Sequence, residues 1–307
     1  MAAVTAMSSI AYAHYSLYDA LPRMASRGFV NVEIGSFGNY CYHFNAGSPA
    51  PFELKCMMED LGLKSIALNW CASSGCAFDE DSSRGWLAEY KKKMVDALEV
   101  GFPMMTMHFG SINDRADQDE QRKRATDVYR QLAEHALPLG MKLLLEMPHL
   151  YLIHHECESV YKLFDDLDLP NVGLLFDSSH WGVIGFDLDE YLEKLGHRLW
   201  HVHLRDSSSV PEADRDRKFV RPAILSKNKY NLTLTPGLGS VDFARLNLAL
   251  DQIGYKGDVT TEFEYFDMTL DEIERQYDSG LSHLNRCGWS IPGTVRYSRI
   301  GTVDRRR

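Results

Sequence analysis

This chain lacks the marks of a disulfide-stapled, membrane-spanning or nucleic-acid-binding protein. Its six cysteines (Cys41, Cys56, Cys71, Cys76, Cys157 and Cys287) are scattered over 307 residues, too sparsely for the bridged cores of small secreted domains. Cys71 and Cys76 are the nearest pair, and no second pair completes a zinc site. All six read as reduced thiols, which points to a cytoplasmic protein. No run approaches the roughly 18 apolar residues of a membrane span. The opening MAAVTAMSSIAYAHY has no basic segment ahead of an apolar one, so a secretory leader is not expected. Basic residues number 33 against 43 acidic ones, and the net charge of -10 disfavours a nucleic-acid partner. The turn after the first apolar run, AYAHYSLYDA, also lacks the glycine fingerprint of an open dinucleotide-binding sheet.

What is present is alternation. Short apolar runs recur at 8–14, 29–35, 63–70, 103–110, 141–148, 172–180, 198–206 and 258–266. Between them lie segments with apolar residues three and four apart, such as 83–101, 118–140 and 240–254. Several of these stop at a glycine, as at Gly140 and Gly254, in the position that favours a left-handed turn. Each parallel strand connection needs room for a helix, so eight such units predict a closed (β/α)8 TIM barrel. With no linker or low-complexity tract, residues 1–307 are expected to form a single domain.

In such a barrel the C-terminal ends of the strands build the active site. The fifth run ends at Glu146, the sixth at Asp177 and His180, the seventh at His201 and His203, and the eighth at Glu262 and Glu264. The fourth offers His108, and the first three little besides His14 and Glu33. Three carboxylates converging on one mouth would repel each other and pay for burial, and a divalent cation removes both costs. Two Glu, one Asp and one His suit Mn2+ or Mg2+, with Co2+ or Zn2+ possible through the imidazole. Of the two histidines on strand seven, His203 lies nearer the strand's end and is the expected ligand. Glu262 and Glu264 share a face, and spacing alone does not choose between them. Asp177 also has a plainer reading as the cap of a following helix.

In this order the residues resemble the sugar phosphate isomerase/epimerase superfamily, the xylose isomerase-like TIM barrels that also include endonuclease IV. The resemblance covers most of the chain and is strongest from about residue 104 to 265. It rests on LLLEMP, LLFDSSH, HVHLRD and the stretch PGLGSVDFARLNLALDQIGYKG leading into TTEFEY. It implies a metal held by Glu146, Asp177, His203 and Glu262, most simply Mn2+. It also implies proton transfer beside a sugar carbonyl, shuttled by Glu146 and Glu262, with His180 contacting substrate.

The chain departs from the ketose 3-epimerases at Leu152 and Ser209, where they carry a Glu and an Arg, although Arg205 lies near the second position. Instead EMPHLYLIHH is expected to set His149, His154 and His155 over the mouth, with His149 either a catalytic base, as the resemblance to C-glycoside-cleaving and lyase-type barrels implies, or a surface loop histidine. His108, Arg205, Trp70 and Trp181 complete the expected substrate-binding set, with the aromatic loop 35–52 at the same rim. The expected activity is isomerisation or epimerisation of a small-molecule sugar. Lyase or C-glycoside-cleaving chemistry is the alternative, and an endonuclease IV-like hydrolase or a non-catalytic sugar-binding barrel is a distant one. Asn69 stands where the endonuclease would need a histidine. No membrane partner is expected, and a homo-oligomer or a partner subunit stays open. The segment 206–239 is far longer than the usual connection and reads as either a lid or a disordered segment. Its Arg215, Arg217, Lys218, Arg221, Lys227 and Lys229 form either an anion clamp or, interleaved with Asp214 and Asp216, a solvated charge run. The tail at Arg305, Arg306 and Arg307 reads as frayed.

Overall fold

The computed structural model describes residues 2–292 apart from 39, 46–47, 72–79, 216–219 and 222–229. The apolar runs form parallel strands because each is covered on both faces, by helices outside and by the opposite wall inside. These are β1 (Ala6–Ser8), β2 (Asn31–Phe37), β3 (Lys64–Cys71), β4 (Met104–Met107), β5 (Lys142–Glu146), β6 (Val172–Asp177) and β7 (Leu199–Leu204). After β7 come β8 (Val220–Arg221) and β9 (Tyr230–Asn231), which pair with each other in a separate two-stranded sheet. Then β10 (Asp258–Thr261) closes the barrel between β7 and β1.

The first strand precedes its apolar run: Ala6–Ser8 pairs with both neighbours, and Ser9–Tyr12, where the strand is expected, forms a 3-10 helix. Likewise β10 stops at Thr261, so Glu262 and Glu264 lie on the segment that continues over the mouth.

The outer layer comprises α1 (Leu17–Ser26), α2 (Pro51–Asp60), α3 (Glu80–Val100), α4 (Gln118–Ala136), α5 (Cys157–Leu167), α6 (Ser178–Ile184), α7 (Leu188–Leu195), α8 (Phe243–Gln252) and α9 (Leu270–Arg286). Their buried faces follow helical spacing. In α3, Trp86, Tyr90, Met94 and Ala97 are fully covered, and with the outward strand residues they form the main core. Asp117 caps α4 by accepting from Glu120 N, and Thr269 with Glu272 forms a capping box on α9. Gly140 and Gly254 adopt the expected left-handed conformation, at φ 71° and 66°. Among the described residues no helix is long and apolar enough to cross a membrane. Cys41, Cys56, Cys157 and Cys287 are free thiols, and Cys76 lies outside the described residues.

A second, smaller core fills the floor of the barrel: Ala6, Ile66, Ala67, Met104, Leu144 and Leu175, with Trp200 against them. A register shift between Leu174 and Leu175 leaves Trp200 unpaired opposite β6. Its ring lies where a side chain at Gly173 would stand, and Lys142 Nζ sits 5.2 Å over it.

The long excursion after β7 is tied at its base by Asp206. Its Oδ1 accepts from Ser207 N and Val241 N and its Oδ2 from Gly237 N and Gly239 N, all at 2.9–3.0 Å. Asp206 and Leu234 also exchange both backbone hydrogen bonds.

Candidate metal and active site

At the mouth, β5, β6, β7 and the residue after β10 each deliver one potential ligand. Glu146, Asp177, His203 and Glu262 are all buried, and one ligand atom from each lies within 4.8 Å of every other. Ligands about 2.0–2.6 Å from a shared cation stand at most about 4–5 Å apart, so the grouping matches an ion-sized centre. His203 Nδ1 and Glu262 Oε2 face each other at 3.1 Å, and both are buried without a hydrogen-bond partner. A nitrogen and an oxygen left unsatisfied toward the same space fit a cation between them.

The orientation of His203 comes from the opposite side of the barrel. Its Nε2 lies 2.8 Å from Glu33 Oε2. An ionised carboxylate only accepts, so Nε2 carries the proton and Nδ1 is the atom presented to the mouth. A ligating imidazole is held in this way, with its far N–H on a carboxylate. Glu33 is fully buried, and His201 Nε2 also approaches its Oε2, at 3.2 Å. Burial alone would raise Glu33, but the imidazoles of His203 and His201 hold it well below the usual carboxylate range. Conversely, burial would lower His203, and the carboxylates of Glu262 and Glu33 overcome it and hold the ring well above its ordinary value.

Arg205 stands among the carboxylates. Its guanidinium pairs closely with Asp177 and Glu264, lies 3.3 Å from Glu262 and 3.8 Å from Glu146, and donates through Nε to Ser179 Oγ. One cation cannot neutralise four acids. Burial raises Asp177, but Arg205 first, then His180 and His203, bring it well down, and Ser179 N–H caps its Oδ1. Asp177 thus both caps α6 and lies within the carboxylate cluster. Glu264, without those additional donors, is pushed up to about 7 by burial despite Arg205. Glu146 is raised well above its normal range, first by burial and then by Glu262 and Asp177.

The first half of the barrel contributes more than sequence reasoning found. Glu262 Oε1 accepts from Asn69 Nδ2 at 2.7 Å, which fixes Asn69 Oδ1 toward Thr106 Oγ1 (2.7 Å) and His108 Nε2 (2.9 Å). His108 therefore carries its proton on Nε2 and turns Nδ1 toward Glu146 Oε2, 3.7 Å away. His180 Nδ1 accepts from Leu150 N, which leaves its Nε2–H facing Glu146 Oε1 at 3.8 Å. His149 Nδ1 accepts from Tyr151 N, and its ring lies 4.1 Å from that of His180. Burial keeps these imidazoles neutral: His108 falls to about 3, His180 to about 4 and His149 well below its ordinary value. Glu146 thus sits among three neutral rings, and His108, Glu146 and His149 form a further group with metal-ligand spacing.

Two expected substrate contacts are not brought here. Trp70 is buried in the outer core, with its indole N–H on Asn45 Oδ1 and its ring against Tyr90. Trp181 donates to the Phe186 carbonyl and packs on Phe176. Strand alternation explains Trp70: with Asn69 turned inward, its neighbour turns out. His154 and His155 also miss the mouth, bonding to the carbonyls of Ser159 and Leu152. From loop 35–52, Phe37 stacks on Tyr40, and these rings reach Phe266 and His108 at 5.4 and 5.8 Å. Of the expected anion clamp, Arg215 binds the carbonyls of Val210 and Ile184. Arg217, Lys218, Lys227 and Lys229, the side chain of Arg221 and the tail at Arg305, Arg306 and Arg307 fall outside the described residues, as do residues 216–219 and 222–229 of the expected lid.

Comparison with known proteins bears on family, relatives and fold. The family description "xylose isomerase-like TIM barrel" matches residues 21–287. An inosose isomerase of Bacillus subtilis is 24% identical over 205 residues, 63% of this chain and 66% of the relative. An inosose dehydratase of Clostridium perfringens is 32% identical over 148 residues, 48% of each. The chain thus spans less than two thirds of the length of these relatives. Among solved structures, the IOLI protein with a binding zinc atom superposes with a TM-score of 0.71 at 20% identity, covering 92% of this chain and 98% of that one. A 3-keto-D-glucoside 4-epimerase from E. coli gives 0.66 at 17%, covering 92% and 100%. At these identities the structural likeness is one of fold.

Proposed function

This chain belongs to the xylose isomerase-like TIM barrel family, and from that premise we propose that it is an enzyme moving a proton at the carbon beside the carbonyl of a polyhydroxylated ketone. The observation that carries the reading is the buried group of Glu146, Asp177, His203 and Glu262, with two glutamates from strands separated by β6 and β7. These four residues would hold a divalent cation, which when bound stabilises negative charge developing on the substrate oxygen. The oxygen-rich set with one imidazole suits Mn2+, with Mg2+, Co2+ and Zn2+ compatible. The zinc atom named in the IOLI structure is consistent with a divalent ion of this kind.

The remaining roles belong to the side chains. Glu146, whose surroundings raise its proton affinity, takes the proton from one side, and Glu262 returns one from the other, which yields isomerisation or epimerisation. Asn69 orients Glu262, and Glu33 orients His203. The neutral rings of His180, His149 and His108 offer directional hydrogen bonds to hydroxyls without adding charge. Arg205 keeps Asp177 and Glu264 apart from the proton-transfer pair.

The cluster of rings beside Glu146 favours one second reading, elimination. After abstraction by Glu146, a hydroxyl on the next carbon leaves as water by taking that proton, while His149 hydrogen-bonds the departing oxygen. The names of the inosose dehydratase relative and of a probable 3-DHS dehydratase neighbour are in keeping with this outcome.

The test is proton NMR in deuterium oxide with Mn2+ and a panel of inososes and ketohexoses. Loss of the signal beside the carbonyl, absent in Glu146→Gln and Glu262→Gln, is the expected result. A new enone absorbance identifies elimination. No exchange with any ketone under metal loading would sink the reading.

A further inference from the structure

One carboxylate oxygen at the mouth has no assigned work. Glu264 uses Oε1 on Arg205, while its Oε2 is buried without a hydrogen-bond partner, in a residue only 8% exposed. A buried acceptor of this kind is costly to leave unmade, so a donor is missing. Glu264 also lines a cavity of about 260 Å³ walled by the end of the long excursion, the segment after β10 and Gln276 of α9. Its other polar walls include Asn231, Thr235 and Gln276, and Leu238 and Phe266 supply apolar surface. Thr235 already donates toward Gln276 Oε1 and shares a contact with Tyr265, so this wall is pre-arranged. The volume falls just below the roughly 300–1,000 Å³ of sites for drug-sized ligands, which suits a single ring. Polar groups converging over apolar patches match a molecule with hydroxyls at its edge and C–H groups on its face.

We infer that this cavity is a subsite for a hydroxyl-bearing group attached to the reacting ketone, with Glu264 Oε2 accepting one of its hydroxyls. The inference rests on the keto-sugar reading and extends it: the substrate is larger than the carbons that exchange protons. The hydroxyl-bearing group has two sources, a second sugar ring or the polyhydroxylated tail of the same sugar.

Calorimetry on the Mn2+-loaded full chain separates them, using D-fructose and the reducing glucosyl-fructoses with glucose on O3, O5 or O6, for wild type and Gln276→Trp. That substitution fills the cavity from a half-buried helix position, and thermal melting checks its fold. For a second ring, at least one disaccharide binds about tenfold more tightly than fructose, about 1.4 kcal/mol, and Gln276→Trp brings the ratio back to one. For the tail, disaccharides show no margin, and fructose itself loses about tenfold in the variant. The inference is overturned if a folded Gln276→Trp protein binds every sugar as wild type does, or if wild type binds none of them. Deuterium exchange run on the same samples keeps the two claims apart. A disaccharide margin without exchange sinks the proton-transfer reading and leaves the subsite, whereas exchange with an indifferent Gln276→Trp does the reverse.

Discussion

Two residues along the strands separate an apolar floor from a charged mouth. Ala6, Ala67, Met104, Leu144 and Leu175 pack together below, and Ser8, Asn69, Thr106, Glu146 and Asp177 follow on the same inward faces above. The floor is closed by Trp200 over Gly173, whereas the mouth gathers four carboxylates, one guanidinium and several imidazoles around atoms left unsatisfied. The two levels have nearly equal burial and opposite purposes. Below, shape complementarity stabilises the barrel; above, the barrel's rigidity holds like charges closer than they would choose.

That contrast can be broken from either end. The largest effect is expected at the mouth. Glu262→Gln lowers kcat/KM for deuterium exchange by about 10²–10⁴, with a melting temperature no lower than wild type, because it removes one charge from a crowded set. Loss of folding with loss of exchange would show that the mouth is a stabilising element after all.

Leu175→Ala does the opposite. It costs about 2–5 kcal/mol in urea unfolding, while exchange per folded molecule stays within a factor of two or so of wild type on the additivity expected between separate sites. Abolished exchange in folded protein would mean the floor tunes the chemistry above it.

Glu33→Gln tests the layer between them. The amide cannot hold His203 in one tautomer as a carboxylate does, so metal affinity measured by competition with a chelator falls about 10–100-fold. An unchanged affinity would reduce Glu33 to packing.

The smallest effect lies outside the barrel. His154, which burial lowers to about 4, stays neutral in the fold while the unfolded chain binds a proton below about 6.5. Its contribution is complete above that pH and is lost as pH falls through it toward 4. From pH 7 to 5 it amounts to about 2 kcal/mol. The fall in unfolding free energy between those pH values should therefore shrink by about that amount in His154→Asn. An unaltered slope would assign the acid sensitivity to the mouth alone.

Much of this was legible in the chain. The eight apolar runs and their intervening helical spacing announce the barrel, and an acid or histidine at four consecutive run ends announces the site, because a strand buried on both faces has no other use for a charge. Closure was harder to read. Glu33 bonds to a histidine 170 residues away, a contact that exists only once β1 and β10 have joined. Its signal, a lone acid in FVNVEIG, was as plain as that of Asp177 but lacked a visible partner. Asn69 drew notice only as a missing histidine, though an amide can both donate to Glu262 and accept from His108. Trp70 illustrates the reverse error: proximity to the strand end suggested the mouth, and alternation by one residue sent it to the core. Trp200 enters the barrel through a register shift, and periodicity does not announce a shift.

The clasp at Asp206 has a consequence for how such a protein diversifies. Four amide hydrogens converge on this carboxylate, so the chain leaves the barrel and re-enters it at a point fixed independently of what lies between. Loop closure entropy grows slowly, by about 0.6 kcal/mol for each doubling of length. The excursion is therefore an exchangeable cassette: its length and composition can be rewritten while the eight strands, and the proton chemistry they frame, stay as they are.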